Sequence, residues 1–349
     1  MPLVSIVVPV YHNSGSLPEL HRQLDRLSAV EAEDFEFIFV DDGSRDQSFA
    51  VMEELCRRDP RVRAIKLARN FGSNAASTAG ISQARGDAVV AISADLQDPP
   101  ELIHQMLDKW RRGYRVVLAA RASRRDPWLS RIFSAAFWKL FRRFALPTMP
   151  AKGCDYCLID RQVLDALKDT NEPGAGLGMV LWTGFEPAVL HYHRRERDPR
   201  FGSSMWSWSK RLTYLIDSFV SFSHMPVRAA SVLGIALGTV GVLYAAAIVF
   251  SKLFLGGELP EAYASVIVAI LVVGGVQLLM IGILGEYLVR VLEATRKRPP
   301  FIVERIVHSN STPANETSLR EREVPPAAVA ELLARFAPPT DPGVVERAP

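Results

Sequence analysis

Ala88-Val89-Val90-Ala91-Ile92-Ser93-Ala94-Asp95-Leu96-Gln97-Asp98-Pro99-Pro100-Glu101 sets an apolar run directly against an acidic cluster. A buried strand that ends in carboxylates places oxygen ligands at the carboxyl edge of a sheet. In open α/β sheets that edge is where ligands sit. Oxygen-rich groups there suit a hard divalent cation shared with phosphates. The segment therefore points to metal-assisted chemistry on a nucleotide or sugar phosphate. The simpler reading is a strand end before a helix N-terminus, with Asp98 as cap and Pro99 in the first turn.

Three earlier segments repeat the pattern. Residues 3–10, 35–40 and 62–67 are short runs rich in Val, Ile and Phe, as buried parallel strands should be. Helix-like stretches at roughly 16–30, 45–58 and 73–85 separate them and precede 88–92. A fifth strand is expected at 115–120. Alternating strands and helices argue for a doubly wound, mostly parallel α/β sheet. Its strand ends read Pro9-Val10-Tyr11, Asp41-Asp42-Gly43-Ser44, Arg69-Asn70-Phe71-Gly72 and Asp95-Leu96-Gln97, and they should meet on one edge as one site. Asp-Gly-Ser is also ordinary turn chemistry, so Asp42 can cap while Asp41 meets a base or ribose. No glycine-rich dinucleotide fingerprint follows the first strand, and no Walker-type phosphate loop occurs. Gly174-Ala175-Gly176-Leu177-Gly178 has the wrong spacing for the former, which argues against a nicotinamide cofactor.

The ordered motifs Val4-Ser5-Ile6-Val7-Val8-Pro9-Val10-Tyr11, Val40-Asp41-Asp42-Gly43-Ser44, Asn70-Phe71-Gly72 and Ala94-Asp95-Leu96-Gln97-Asp98-Pro99-Pro100-Glu101 resemble those of family 2 glycosyltransferases. The similarity is to the polyprenyl-phosphate branch, which includes dolichol-phosphate mannose synthase and bacterial undecaprenyl-phosphate glycosyltransferases. It runs over roughly residues 3–303, through Cys157-Leu158-Ile159-Asp160-Arg161 and the segment 202–210. The resemblance implies a nucleotide-diphospho-sugar transferase fold with Mg²⁺ or Mn²⁺ as cofactor, Asp95 and Gln97 being the metal ligands. It places Pro9, Tyr11, Asp41, Asp42, Asn70, Ser93, Ala94 and Asp95 around the donor. Arg121, Arg124 and Arg125 follow the fifth strand, where they could hold the donor's two phosphates or be solvated loop charge. Asp155 falls near the reacting acceptor and joins Asp95 and Arg121 as catalytic candidates, while Arg131, Arg200, Ser204 and Lys210 would meet the lipid phosphate. Two departures stand out: the usual Asp-Ala-Asp begins here with Ser93, and the usual Tyr-Asn-Glu reads Tyr11-His12-Asn13. The first removes a carboxylate from the metal neighbourhood.

Residues 229–250 form 22 positions without a charge, and 264–285 form a second such run with Gln277 as its strongly polar side chain. Roughly 20 apolar residues span a bilayer core, so a transmembrane hairpin is expected rather than two buried core helices. Lys210, Arg211 and Arg228 flank one end and Arg290, Arg296, Lys297 and Arg298 the other, against a single Lys252 between the spans. The positive-inside rule then puts both termini in the cytoplasm. Met1-Pro2 runs almost directly into the first strand, so no signal peptide is expected. Segments 128–146 and 206–222 interleave aromatic residues with cations, as interfacial helices do.

The expected organisation is a cytoplasmic catalytic domain over 1–204, with an interfacial helix at 128–146, followed by a juxtamembrane amphipathic helix over 205–228. Spans at 229–250 and 264–289 enclose an extracytoplasmic loop at 251–263. A basic cytoplasmic segment at 290–309 and a largely disordered tail at 310–349 complete it. A formal net charge of +3 implies no general grip on nucleic acid. Cys56, Cys154 and Cys157 make no disulfide framework, and Cys154-Asp155-Tyr156-Cys157 lacks the second pair a zinc site needs. Glycines in both spans would let helices approach closely, and relatives in this branch form oligomers, which leans the expectation to a homo-oligomer.

The function implied is a multi-pass enzyme of a bacterial inner membrane. It would move a sugar from a nucleotide-diphosphate sugar to a polyprenyl phosphate, undecaprenyl in a bacterium, with inversion at the anomeric carbon. Two other readings are a non-catalytic membrane adaptor built on a degenerate transferase domain, which Ser93 favours, and a processive polysaccharide synthase. The latter lacks its Gln-x-x-Arg-Trp motif and further spans here.

Overall fold

The structure is a computed structural model that describes residues 1–121, 138–144, 146–150, 154–168, 176–195, 223, 225–254, 263–296 and 298–309. Strands β1 (Leu3–Val10), β2 (Asp34–Asp41), β3 (Val62–Leu67) and β4 (Ala88–Ala91) alternate with helices α1 (Leu17–Ser28), α2 (Ser48–Arg58) and α3 (Ser73–Gln83). Helix α4 (Leu102–Arg111) and β5 (Val116–Arg121) follow. Next come β6 (Cys154–Asp160), α5 (Arg161–Leu167), α6 (Gly176–Trp182) and β7 (Pro187–Tyr192). The long helices α7 (Met225–Phe254) and α8 (Tyr263–Arg296) lead to a last strand, β8 (Val303–His308). The expected interfacial and juxtamembrane helices lie largely outside the described residues, as does the tail from 310.

All eight strands share one sheet in the order β7-β5-β6-β4-β1-β2-β3-β8. β6 is antiparallel to both β4 and β5, and β8 is antiparallel to β3; the remaining pairings are parallel. The expected mixed, mostly parallel sheet is therefore present. Two reversed strands were not legible in the apolar pattern. β8 reads Val-Glu-Arg-Ile-Val-His with its charges outward, as an edge strand guards itself against further pairing, so residues 303–308 resemble a basic linker in sequence.

Alternate residues of β1 face the two layers. Val4, Ile6, Val8 and Val10 join Leu17, Leu20, Leu24, Met52 and Met106 on one side, while Val7 joins Ile38, Val40, Ile65 and Leu67 under α3 on the other. Helix α2 begins at Ser48 rather than near 45 because Asp46 Oδ1 accepts the Ser48 N–H at 3.1 Å. That local bond competes with an earlier helical turn. Helix α3 presents Ala76, Ala79 and Gly80 to the sheet, and this small-residue face lets it lie close. A Cβ on Gly80 would stand 2.3 Å from Val7 Cγ1 and 3.0 Å from Val40 Cγ2.

Helices α7 and α8 have 30 and 34 residues, about 45 and 51 Å at the helical rise. Both contain stretches long and apolar enough to cross a membrane. They are not core helices: Ile235, Val242, Leu278 and Leu284 are each more than 60% exposed. Apolar surface on that scale marks a membrane or partner interface. Helix α8 continues past the apolar run through Glu286, Arg290, Glu293 and Arg296, and Tyr287 OH donates to Ser223 O at 2.7 Å.

Gly80→Ala should lower the thermal unfolding midpoint despite alanine's better helix propensity. The stiff Val7 side chain must give way, at a cost of about 1–3 kcal/mol. Val7→Ala placed in the same chain should recover part of that loss, read as a non-additive midpoint in a double-mutant cycle.

Candidate active site

The parallel direction of β1 to β5 and β7 brings their carboxyl ends to one edge. Because β6 runs the opposite way, its first residues arrive at that same edge: Ala120 pairs with Cys154 and Ala91 with Cys157. Pro9, Tyr11, Asp41, Asp42, Asn70, Ser93, Ala94, Asp95, Gln97, Arg121 and the backbone of Asp155 therefore share one rim. Arg124, Arg125, Arg131, Arg200, Ser204 and Lys210 lie outside the described residues.

On the β2 side two neighbouring carboxylates do different work. Asp42, 3% exposed, accepts the N–H groups of Phe71 and Gly72 at 2.7 and 2.9 Å, one on each oxygen. It pins the loop after β3 to the end of β2. Gly43 makes the turn beside it at φ 69°, and a Cβ there would stand 2.6 Å from the Arg69 carbonyl carbon. Asp41 is fully buried; its Oδ1 accepts the Ser44 N–H at 3.2 Å, while Oδ2 has no hydrogen-bond partner. Burial pushes both carboxyls above the ordinary aspartate range, and the hydrogen bonds only partly oppose it. A buried acceptor without a donor is costly, so Asp41 Oδ2 is poised for an N–H or O–H from a ligand.

On the β4 side, Ser93 stands where the resemblance leads one to expect a carboxylate. Its Oγ lies 2.9 Å from Asp95 Oδ1 and 2.6 Å from Asp98 Oδ2, and its single proton serves one of them at a time. Asp95 Oδ1 also accepts the Gln97 N–H at 3.2 Å, within a turn that sets Leu96 at φ 59°. Ala94 is fixed through its carbonyl, which accepts from Ser16 Oγ at 2.7 Å. Three residues absent from the expected site complete it. Asp98, 1% exposed, accepts from Tyr192 OH at 2.5 Å, and Arg194 Nε lies 3.3 Å from it. Burial, and then the Asp98 carboxylate beside it, holds the Tyr192 phenol well above its usual range, so it remains the donor. Arg194 Nη2 is also 3.7 Å from Asp95 Oδ2. The signal for Tyr192 and Arg194 was the run Pro187-Ala188-Val189-Leu190 just before them, a strand signature followed by cations.

Asp155 has a backbone reason for its place. Ala119 pairs with Tyr156 but Ala120 pairs with Cys154, so Asp155 is the extra residue of a bulge. Bulges bend a strand and re-aim its side chains at rims and sites. Arg121 ends β5 opposite Tyr192.

The model for "Glycosyl transferase family 2" matches residues 5–168. An uncharacterized glycosyltransferase of Synechocystis sp. is 36% identical over 303 residues, covering 86% of this chain and 94% of its own. The bactoprenol glucosyl transferase of Shigella phage SfV is 33% identical over 303 residues, 86% of this chain and 98% of its own. The chain belongs to glycosyl transferase family 2. A solved mannosyltransferase of Pyrobaculum calidifontis, in complex with GDP-Man and Mn²⁺, is 18% identical with a TM-score of 0.45, covering 82% of this chain and 87% of that one.

The family 2 transferase is thus a glycosyltransferase whose rim gathers buried carboxylates from the ends of β2 and β4. Among the described residues, no group of three or more His, Cys, Asp or Glu is placed to hold a metal ion by itself. Asp95 and Gln97 fit a cation in another way. Mg²⁺-like ions keep waters and take one or two carboxylates plus substrate phosphates, so Asp95 suffices when a diphosphate supplies further oxygens.

Asp41→Asn should raise the unfolding midpoint at pH 7 while weakening nucleotide binding at least about tenfold, the loss of one charged acceptor. The sign of the pH dependence follows from the raised folded-state pKa. An ionised Asp41 opposes folding above that pKa, and the opposition fades as pH falls through it. The midpoint gap between variant and wild type should therefore shrink toward acid pH; a gap that widens contradicts the assignment.

Proposed function

We propose that this transferase moves a sugar from a nucleoside-diphosphate sugar to a polyprenyl phosphate at the cytoplasmic face of a bacterial membrane, with inversion at the anomeric carbon. The carrying observation is the similarity to bactoprenol glucosyl transferases, 32–33% identical over 98–99% of their length. Beside it stand the orphan acceptor on Asp41 and the acidic loop at Asp95, which suit opposite ends of a nucleoside diphosphate. Asp41 Oδ2 takes a donor proton from base or ribose, and the Pro9–Tyr11 turn lies beside it. Bound at Asp95 with Gln97, Mg²⁺ or Mn²⁺ would offset the charge that develops on the departing diphosphate. Arg121 at the end of β5, with Arg124, Arg125 and the acceptor group Arg131, Arg200 and Lys210, supplies cations for the phosphates, and Ser204 adds a hydroxyl donor.

The acceptor explains the modest demand for a base. A phosphate monoester has its second pKa at about 6 and is largely dianionic at neutral pH. Its oxygen needs orientation rather than deprotonation, and Asp155, on its bulge, is read as an orienting group. With full-length protein, label from a panel of nucleotide sugars should enter organic-soluble lipid with polyprenyl phosphate and not with free polyprenol. Activity should decline below about pH 6, where the monoester gains a proton. Asp95→Asn should abolish the cation-dependent rate, and Asp155→Asn should lower turnover but keep the same acid limb. Efficient transfer to the free alcohol, or an acid limb lost with Asp155, would overturn the lipid-phosphate reading.

The membrane part of the proposal draws support from topology. β7 precedes α7 and β8 follows α8, yet both belong to one sheet. A chain that leaves a sheet and returns to it crosses a bilayer an even number of times. That favours a hairpin with both ends on the catalytic side, and the basic flanks favour the cytoplasm for that side. A reporter active only outside the cytoplasm should be active when fused at Gly257 and silent when fused after Arg298. The opposite pattern would reverse the orientation.

A further inference from the structure

The chain after β7 is fastened across the β4 loop. Tyr192 OH donates to Asp98 at 2.5 Å, Arg195 N–H donates to Gln97 O at 2.9 Å, and Arg195 Nη2 pairs with Glu101 at 3.1 Å. Arg194 is carried between these anchors. Its Nε lies 3.3 Å from Asp98 Oδ1 and its Nη2 lies 3.7 Å from Asp95 Oδ2. The guanidinium is near both carboxylates but locked to neither: its buried Nε meets no acceptor in hydrogen-bonding geometry. Asp98 already has hydroxyl partners in Tyr192 and Ser93, Asp95 Oδ1 serves Ser93 and the Gln97 N–H, and Asp95 Oδ2 has Arg194 nearby.

We propose that Arg194 is a resident counter-cation of this site. It offsets the Asp95 charge while the donor is absent and yields that carboxylate only when a divalent cation arrives with a diphosphate. This rests on the reading of Asp95 as a cation ligand. A divalent ion alone would have to push a positive charge away from Oδ2 with no new anion for it to meet. With a diphosphate present, the guanidinium gains phosphate oxygens, which its planar fork suits better than a lysine would. Cation and diphosphate binding are thereby coupled, and by linkage the coupling is reciprocal. Ser93 belongs to the same device: a second carboxylate at that position would add charge and lower the barrier to a lone cation.

The test measures Mn²⁺ binding rather than turnover, using full-length protein in detergent and the electron paramagnetic resonance signal of free Mn²⁺. Titrations run with Mn²⁺ alone, then with inorganic pyrophosphate, UDP or GDP, corrected for Mn²⁺–diphosphate complexes in solution. Wild type should bind Mn²⁺ weakly alone and more tightly with at least one diphosphate. Arg194→Gln, with Arg194→Met as a second neutral variant should the first misfold, should bind Mn²⁺ alone about tenfold more tightly, since a nearby like charge is gone. The diphosphate should then tighten binding less than it does in wild type. Arg194→Lys keeps the charge and should resemble wild type with Mn²⁺ alone. Neutral variants that bind lone Mn²⁺ no better than wild type, while Asp95→Asn binds none, would overturn the role of Arg194 and leave the cation site standing. Undiminished Mn²⁺ binding in Asp95→Asn, or no tightening by any diphosphate in wild type, would overturn the cation assignment and this proposal with it.

Discussion

A carboxylate taken out of water must find donors nearby, and at the carboxyl edge of this sheet Asp41, Asp42, Asp95 and Asp98 are all buried within a few residues of strand ends. Each meets the requirement differently. Asp42 takes two backbone N–H groups and so fixes the loop after β3 against β2. Asp98 takes the Tyr192 and Ser93 hydroxyls with a guanidinium beside it, and so ties the β4 loop to the far strand β7. Asp41 meets it by half, with one oxygen bonded and the other left for a ligand. Asp42 and Asp98 tie loops together at the rim, and Asp41 keeps one acceptor unpaired. Leaving one buried acceptor unpaired costs on the order of 1–3 kcal/mol, a loss that the rest of the core sustains.

The reversed strands matter as much as the parallel ones. A fully parallel sheet would carry the start of β6 to the edge opposite the acidic loop. Its antiparallel insertion between β4 and β5 instead delivers the backbone of Asp155 to the same rim, and the bulge there sets the residue apart from the ladder. The second reversed strand does mechanical work. β8 pairs along β3, with Lys66 to Glu304 at 3.1 Å and the Ala68 N–H to Ile302 O at 2.9 Å. The chain that leaves α8 is thereby stitched to the edge of the sheet. The same β3 ends in the loop that Asp42 holds, so β8 and that part of the rim share a strand.

The substitution of serine for an aspartate in the acidic motif loses its look of degeneracy in this setting. Ser93 bridges the two remaining carboxylates, so the loop keeps its shape with less negative charge. The charge balance at the rim is set by what crosses from β7, not by the motif alone.

Much of this was written locally. The short continuous apolar runs and the polar punctuation between them marked the first four strands, three helices and the edge on which Asp41, Asp42 and Asp95 assemble, because buried parallel strands need continuous apolar sequence. The two long uncharged runs likewise declared long apolar helices from composition alone. Other features depend on partners distant in the chain. Nothing in Val303-Glu304-Arg305-Ile306-Val307-His308 says that it pairs with β3, because an edge strand with outward charges looks like a linker until its neighbour is known. Nothing near Asp98 says that a tyrosine 94 residues later will hold it, nor that Arg194 will share the carboxylates. Strand order, the bulge at Asp155 and the neutralisation of the acidic loop were decided by tertiary structure, since each is a contact between segments whose separation in sequence carries no information about their distance in space.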